Sequence, residues 1–302
     1  MATVACIGEC MIELRELPDG SLARGWGGDT LNTAVYLARL GAKVDYLTAL
    51  GDDPWSDEML AGWEAEGVGT RLVQRLPGRL PGLYVIQTDA QGERRFSYWR
   101  GEAPARQLFE LAGTAALAAA LPGYALIYLS GITLSLYGEA GRERLWAALA
   151  SARAGGSRVA FDTNFRPRGW PDAGVARTAF RRAMATADIV LASSEDLELL
   201  FGQELPPELQ RGGLELVLKR PDLACRITAP DIDLMVAATP VGRVVDTTAA
   251  GDSFAAAYLA TRLAGGDPAV AAAAGHRLAG AVVSHRGAII PQDAMPAGLG
   301  GR

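Results

Sequence analysis

Val245-Asp246-Thr247-Thr248-Ala249-Ala250-Gly251-Asp252-Ser253-Phe254 decides the fold, because it joins two different periodicities through residues with almost no side chain. Upstream, Arg243-Val244-Val245 reads as a short buried strand, and downstream Ser253 to Leu263 reads as an amphipathic helix carrying Phe254, Tyr258, Leu259 and Leu263. Between them the backbone turns tightly. Ala249, Ala250 and Gly251 leave that backbone open to a ligand, so its N–H groups can converge on an anion at the positive end of the helix, with Asp252 beside them. Donors that hold developing charge, next to a carboxylate that takes a proton from an attacking hydroxyl, suit phosphoryl transfer. Small residues before a helix and an Asp in its first turn are equally ordinary capping and packing features, and this stretch alone leaves both readings open.

Outward from this point, strands and helices alternate. Thr3 to Ile7 reads as a buried strand running into Gly8, Thr30 to Leu40 as a helix stopped by Gly41, and Lys43 to Leu50 as a second strand. The pattern returns as strand Leu126 to Leu129, helix Tyr137 to Ala154, strand Arg158 to Phe161, helix Ala173 to Thr186, strand Ile189 to Leu191, helix Glu195 to Phe201 and strand Leu214 to Lys219. Such alternation predicts an α/β fold with a mostly parallel sheet covered by helices on both faces.

Met11 to Trp26 and Gly82 to Arg100 break the pattern. Both read as short strands, the second as a hairpin turning near Asp89-Ala90-Gln91-Gly92, and together they predict a small separate sheet. The division expected is a main domain of residues 1–10, 27–80 and 101–302, with residues 11–26 and 81–100 forming the appended sheet. Phe96, Tyr98 and Arg100 share a strand face, and a five-residue turn sets Tyr84 opposite Tyr98. Two tyrosines and an arginine on one face suit a polar, anionic small molecule, while an amphipathic surface or a subunit interface would use the same pattern.

Composition narrows the function classes. The 302 residues are 49% hydrophobic and 21% charged, enough for one large core with a small appendage, and the net charge of −5 offers no basic footprint for nucleic acid or an anionic membrane. The apolar stretches Ala115 to Leu121 and Ala269 to Ala274 are too short to span a bilayer and the N-terminus has no signal-like pattern, so a cytoplasmic location is the expectation. Cys6, Cys10 and Cys225 are an odd number with no paired ligand spacing, and with only His276 and His285 as further partners they read as reduced core residues and not a zinc site. A dinucleotide-dependent oxidoreductase needs Gly-x-Gly-x-x-Gly after the first strand, where this chain has Gly8-Glu9-Cys10-Met11.

Two separated signatures resemble the ribokinase-like (PfkB) family of sugar kinases. They are Gly27-Gly28-Asp29-Thr30-Leu31-Asn32-Thr33-Ala34 running into Ala38-Arg39-Leu40-Gly41, and Asp246 to Phe254; Gly51-Asp52-Asp53 and Arg286-Gly287-Ala288-Ile289-Ile290-Pro291 follow the family's order over nearly the whole chain. The resemblance implies a three-layer α/β kinase with a β-sheet lid, ATP and Mg2+ as cofactors, and a catalytic base at Asp252 with an anion hole on the backbone of Ala249, Ala250, Gly251 and Asp252. Ala249 stands where the family often has Gly, and an Ala can still donate its N–H if φ stays negative. By the same resemblance Gly28, Asp29 and Asn32 meet sugar hydroxyls, although Asn32 would serve equally as a packing residue.

Lys219 matches a position near the nucleotide, although Arg220-Pro221 replaces the family's following Gly, and Ser193-x-x-Asp196 stands where the family has Asn-x-x-Glu. The metal ligands are left unassigned, magnesium being held mainly through water and phosphates. Together with Asp162-Thr163-Asn164-Phe165-Arg166-Pro167, the signatures are most similar to the members that phosphorylate 2-keto-3-deoxygluconate. That implies sugar-acid contacts from Tyr84, Tyr98, Arg100 and Arg166, with Asn164 near the nucleotide phosphates. A guanidinium suits a carboxylate that a neutral hexose lacks, while Arg166 could instead contact phosphate or close a salt bridge. A kinase for a neutral sugar such as fructose or ribose and a catalytically silent sugar-binding sensor are the alternatives. The resemblance also admits a monovalent cation near Asp246 and a homo-oligomer formed through the lids.

Overall fold

The apolar runs become neighbouring strands of one large sheet in the computed structural model, which describes residues 3–88, 94–202 and 205–299. Across that sheet the order is β15 (Ile232–Ala237), β14 (Ala224–Ala229), β13 (Glu215–Lys219), β12 (Ile189–Ser193), β11 (Arg158–Asp162), β10 (Leu126–Ser130), β1 (Thr3–Ile7), β4 (Lys43–Leu47) and β6 (Val68–Gly69). Pairing is parallel from β6 to β13 and antiparallel from β13 to β15. The chain runs outward from β1 to β4 and β6, then returns to the other side of β1 at β10. Strand order therefore reverses between β1 and β10, and a crevice opens at the carboxyl ends of these strands, where open α/β sheets bind ligands.

Side chains alternate between two cores. Ile127, Leu129, Val159 and Phe161 enter one, while Leu126, Tyr128 and Ala160 of the same strands enter the other. On the first face Phe180 of helix Ala173–Thr186 meets Phe161 and Phe165 edge-on at 5.4 and 5.5 Å. Truncating so large a buried ring typically costs about 3–5 kcal/mol. Helices Asp29–Arg39, Ala250–Leu263 and Pro268–Val283 cover the second face.

A second sheet, ordered β3 (Leu22–Gly27), β2 (Met11–Glu16), β8 (Leu83–Thr88) and β9 (Arg94–Trp99), stands apart from the first, and β5 (Ala49–Gly51) pairs with β7 (Gln74–Leu76). The register sets Tyr84 opposite Tyr98, while the expected turn at Asp89-Ala90-Gln91-Gly92 lies outside the described residues. Cys6, Cys10 and Cys225 are buried free thiols. Among the described residues no helix is long and apolar enough to cross a membrane.

Three expectations need correction. Arg243-Val244-Val245 is not a buried strand: Val244 is 58% exposed, and the segment is held by a helix end and not by a neighbouring strand, Val245 N–H donating to the Val283 carbonyl at 2.7 Å. The helix after it is not amphipathic at its start, since it begins at Ala250 and every residue from Ser253 to Leu259 is buried. Lys43 to Leu50 divides into β4 and β5, whereas the helix expected at Tyr137 to Ala154 is found at Glu139–Ala154, preceded by a separate, unexpected helix at Gly131–Leu136.

Candidate active site

The candidate residues gather at the sheet's carboxyl edge. Helix Asp29–Arg39 enters the crevice after Gly28, whose lack of a side chain is required, since a Cβ there would lie 2.1 Å from the Glu9 carbonyl oxygen. One turn along, the buried Asn32 donates from Nδ2 to Asp252 Oδ2 at 2.8 Å, which ties the two signature helices together. Asn32 Oδ1 is buried with no hydrogen-bond partner. Thr33 Oγ1 adds a contact to the Asp252 carbonyl at 3.3 Å. Desolvation, and then the charge of Asp29, push the Asp252 carboxyl up to about 8, against the lowering pull of Asn32 and Lys219.

The turn before Asp252 differs from expectation at Ala249. Its φ is 59°, in the left-handed region and not at the negative φ expected of an alanine. The cap of helix Ala250–Leu263 demands that conformation, and a Cβ there costs roughly 1–2 kcal/mol. Ala250 turns its N–H onto the Thr247 carbonyl at 3.2 Å, so that donor is engaged within the turn. Gly251 and Asp252 occupy the first helical turn, whose N–H groups have no carbonyl of their own helix to bond.

Lys219, at the end of β13, reaches back to Asp162 at the end of β11, with Nζ 3.2 Å from Oδ2. A Cβ built on Gly251 would lie 3.7 Å from the same Nζ, so the ammonium overhangs the first turn beside Asp252. Burial pushes the Asp162 carboxyl up and Lys219 pulls it back. Ser193 caps helix Ser194–Phe201, its Oγ accepting from Asp196 N–H at 3.0 Å, while Thr163 Oγ1 donates to Asp196 Oδ2 at 2.7 Å. Asn164 has a φ of 28° and gives its Nδ2 to Asp29 Oδ2 at 2.8 Å, on the side of the first signature.

On the small sheet the Tyr84 and Tyr98 rings lie 5.9 Å apart, and Tyr98 stacks on Phe96 at 6.2 Å. Tyr84 donates its hydroxyl to Glu13. Arg100 lies just past the end of β9 and is paired with the buried Glu9. Arg166 is exposed and gives Nη1 to the Phe165 carbonyl at 2.8 Å. The fold thus joins Asn32 to Asp252 and Asn164 to Asp29 by hydrogen bonds, with Asp29 and Lys219 near enough to act on Asp252 by charge, whereas Arg166 is joined to none of them by a hydrogen bond.

The sequence model of the pfkB family carbohydrate kinases matches residues 1–295. The chain belongs to that family. A 2-dehydro-3-deoxygluconokinase of Dickeya dadantii is 46% identical, with 97% of this chain and 98% of the relative covered. One of Escherichia coli K12 is 43% identical over 97% of this chain and 99% of its own. The crystal structure of a Xylella fastidiosa fructokinase with bound ATP superposes with a TM-score of 0.80 at 26% identity, covering 97% of this chain and 95% of that one.

For this pfkB-family chain, sequence reasoning missed Glu9, Glu13, Asp162 and Thr163 as members of the site. Asp162 and Thr163 carried a signal, a carboxylate and a hydroxyl at the end of an apolar strand run. Glu9 carried one only through topology, since its partner is 91 residues away.

Proposed function

We propose that this protein is an ATP-dependent kinase that transfers the γ-phosphoryl group to the terminal hydroxyl of 2-keto-3-deoxy-D-gluconate, giving 2-keto-3-deoxy-6-phosphogluconate. The observation that carries the reading is the Asn32–Asp252 hydrogen bond, which seats a carboxylate of raised proton affinity at the positive end of a helix inside the crevice. The identity of the acceptor is supported by the two relatives at 43% and 46% identity, against 26% for the fructokinase.

In this reading the acceptor hydroxyl loses its proton to Asp252 as its oxygen bonds to the γ-phosphorus, and the phosphorus–oxygen bond to the leaving ADP breaks. The N–H groups of Gly251 and Asp252 and the Lys219 ammonium stabilise charge on the transferred group. Asn32 holds the base with Nδ2 and offers its unpartnered Oδ1 to a sugar hydroxyl. The small sheet acts as a lid that excludes water, so ATP is not lost to hydrolysis.

Magnesium fits the residues present. Among the described residues no group of three or more acidic, His or Cys side chains could hold a metal alone, while Asp196 lies close enough to Asp162 to help raise its carboxyl. These two would hold the ion largely through water, and it would supply positive charge to offset that of the phosphates. A monovalent cation beside Asp246 and a homo-oligomer through the lid edges belong to the same proposal.

Comparing kcat/KM for the keto acid with that for fructose and ribose tests the acceptor. A lead for the acid is expected, and a lead for either neutral sugar would replace the acceptor while keeping Asp252 as base.

A further inference from the structure

Glu9 lies where the chain crossings between the large sheet and the small one converge, and meets them through its backbone and its carboxylate. It lies on the β1-to-β2 crossing, its carbonyl oxygen 2.1 Å from where a Cβ of Gly28 would stand on the crossing out of β3. Its Oε1 is 3.0 Å from where a Cβ of Gly82 would stand, on the crossing into β8, and Arg100 Nη2 donates to its Oε2 on the crossing out of β9. Glu9 is therefore packed against each of the other connections at the hinge of the small sheet.

The ion pair is one-sided. The Glu9 side chain is 1% exposed and Arg100's is 23% exposed, so the carboxylate is enclosed while part of the arginine still faces out. The contact is made through Nη2, and both Glu9 Oε1 and Arg100 Nε are buried without a hydrogen-bond partner. A guanidinium has donors on several edges in a rigid fork, so one engaged through a single nitrogen keeps capacity for a second carboxylate. A buried carboxylate that used its arginine only as a counter-charge would gain more from a two-point fork.

We propose that Glu9 is a positioning residue for substrate recognition: it anchors Arg100 at the hinge so that the outward edge of the guanidinium meets the carboxylate of the sugar acid. The inference rests on the reading of the substrate as a sugar acid. Anchoring matters because a free arginine side chain carries about 2 kcal/mol of rotamer entropy that binding would otherwise have to overcome. Glu9 also links the contact to the lid, since the residue that orients Arg100 adjoins the connections out of β3 and into β8 as well.

The test separates position from charge. Glu9→Asp keeps the charge and withdraws the oxygens by one methylene, whereas Glu9→Gln keeps an oxygen in place and removes the charge. Glu9→Asp should raise KM for the sugar acid roughly tenfold, about the effect of losing one charge-assisted contact. KM for ATP should be unchanged, Glu9→Gln, which keeps an oxygen in place, should raise KM for the acid less than Glu9→Asp does, and in an Arg100→Ala background Glu9→Asp should have no further effect. Equal rises in both KM values, or the same rise without Arg100, would show a purely structural ion pair and overturn the proposal. A lowered KM for the acid in Glu9→Gln would make Glu9 a counter-charge and overturn it as well. Wild-type protein that does not phosphorylate the acid would instead defeat the substrate reading, and this inference with it.

Discussion

The side-chain amide of Asn32 donates to the Asp252 carboxylate at 2.8 Å across 220 residues of sequence, so the helix that carries the first signature orients the carboxylate of the second. The bond favours the ionised carboxylate, whereas burial and Asp29 favour the protonated one. A base must be deprotonated to act, so kcat/KM should rise with pH through an apparent pKa near 8 in the free enzyme. Asn32→Ala removes a lowering contact and should move that limb to higher pH. A pH–rate profile of both proteins checks the sign.

Asp252→Asn should lower kcat by about a hundredfold or more, the usual contribution of a general base. It should also stabilise the protein. A carboxylate whose folded pKa lies above its unfolded value destabilises the fold as pH rises past the unfolded value, and the effect is complete once pH exceeds the folded one. The variant's advantage in Tm should therefore open between about pH 4 and pH 8 and vanish at lower pH. Thermal melts across that range, beside a single-turnover assay, separate the two effects.

Lys219→Met should leave Asp162, 3% exposed, without its counter-charge. Breaking a fully buried pair costs about 3–5 kcal/mol, and the partial exposure of Lys219 reduces the expectation to about 2 kcal/mol. The loss grows as pH rises above the unfolded pKa of the carboxyl and ionisation of Asp162 is enforced. ATP affinity should fall with it, measured by calorimetric titration beside denaturant unfolding.

Ala249→Gly should relieve the left-handed strain at φ 59°. Relief of about 1 kcal/mol, partly offset by the greater freedom of glycine in the unfolded chain, predicts a Tm higher by roughly 1–2 °C with activity retained. A lower Tm would show that the alanine methyl contributes packing that outweighs the strain.

The parallel sheet was legible because strands buried on both faces must be written in short apolar runs, and helix Ala173–Thr186 falls where its periodicity predicts. Two of the helices that escaped, Pro54–Ala65 and Pro268–Val283, begin with the same signal: an Asp whose side chain caps the first turn, followed by Pro. Arg243-Val244-Val245 misled because the preference of valine for strands is realised only beside a pairing strand, and Val245 bonds instead to the end of helix Pro268–Val283.

At the site, the positions of Asp252 and Asn32 were legible because each lies in a signature with its own local geometry, and that of Lys219 because it ends an apolar strand run. The Glu9–Arg100 pair was not, since only the crossing of four chain segments brings the two side chains together. The left-handed turn at Ala249 was hidden for a different reason: the residue type argues against it, and only the packed helix start enforces it.

The most direct measurement of the central claim incubates the purified protein with magnesium, ATP and 2-keto-3-deoxygluconate and follows ADP release alongside the 31P NMR spectrum of the product. The account predicts one ADP per phosphorylated sugar acid, with the phosphate on the terminal hydroxyl, and a higher kcat/KM than for fructose or ribose. A preferred neutral sugar, or ADP release without a phosphorylated sugar acid, would contradict it.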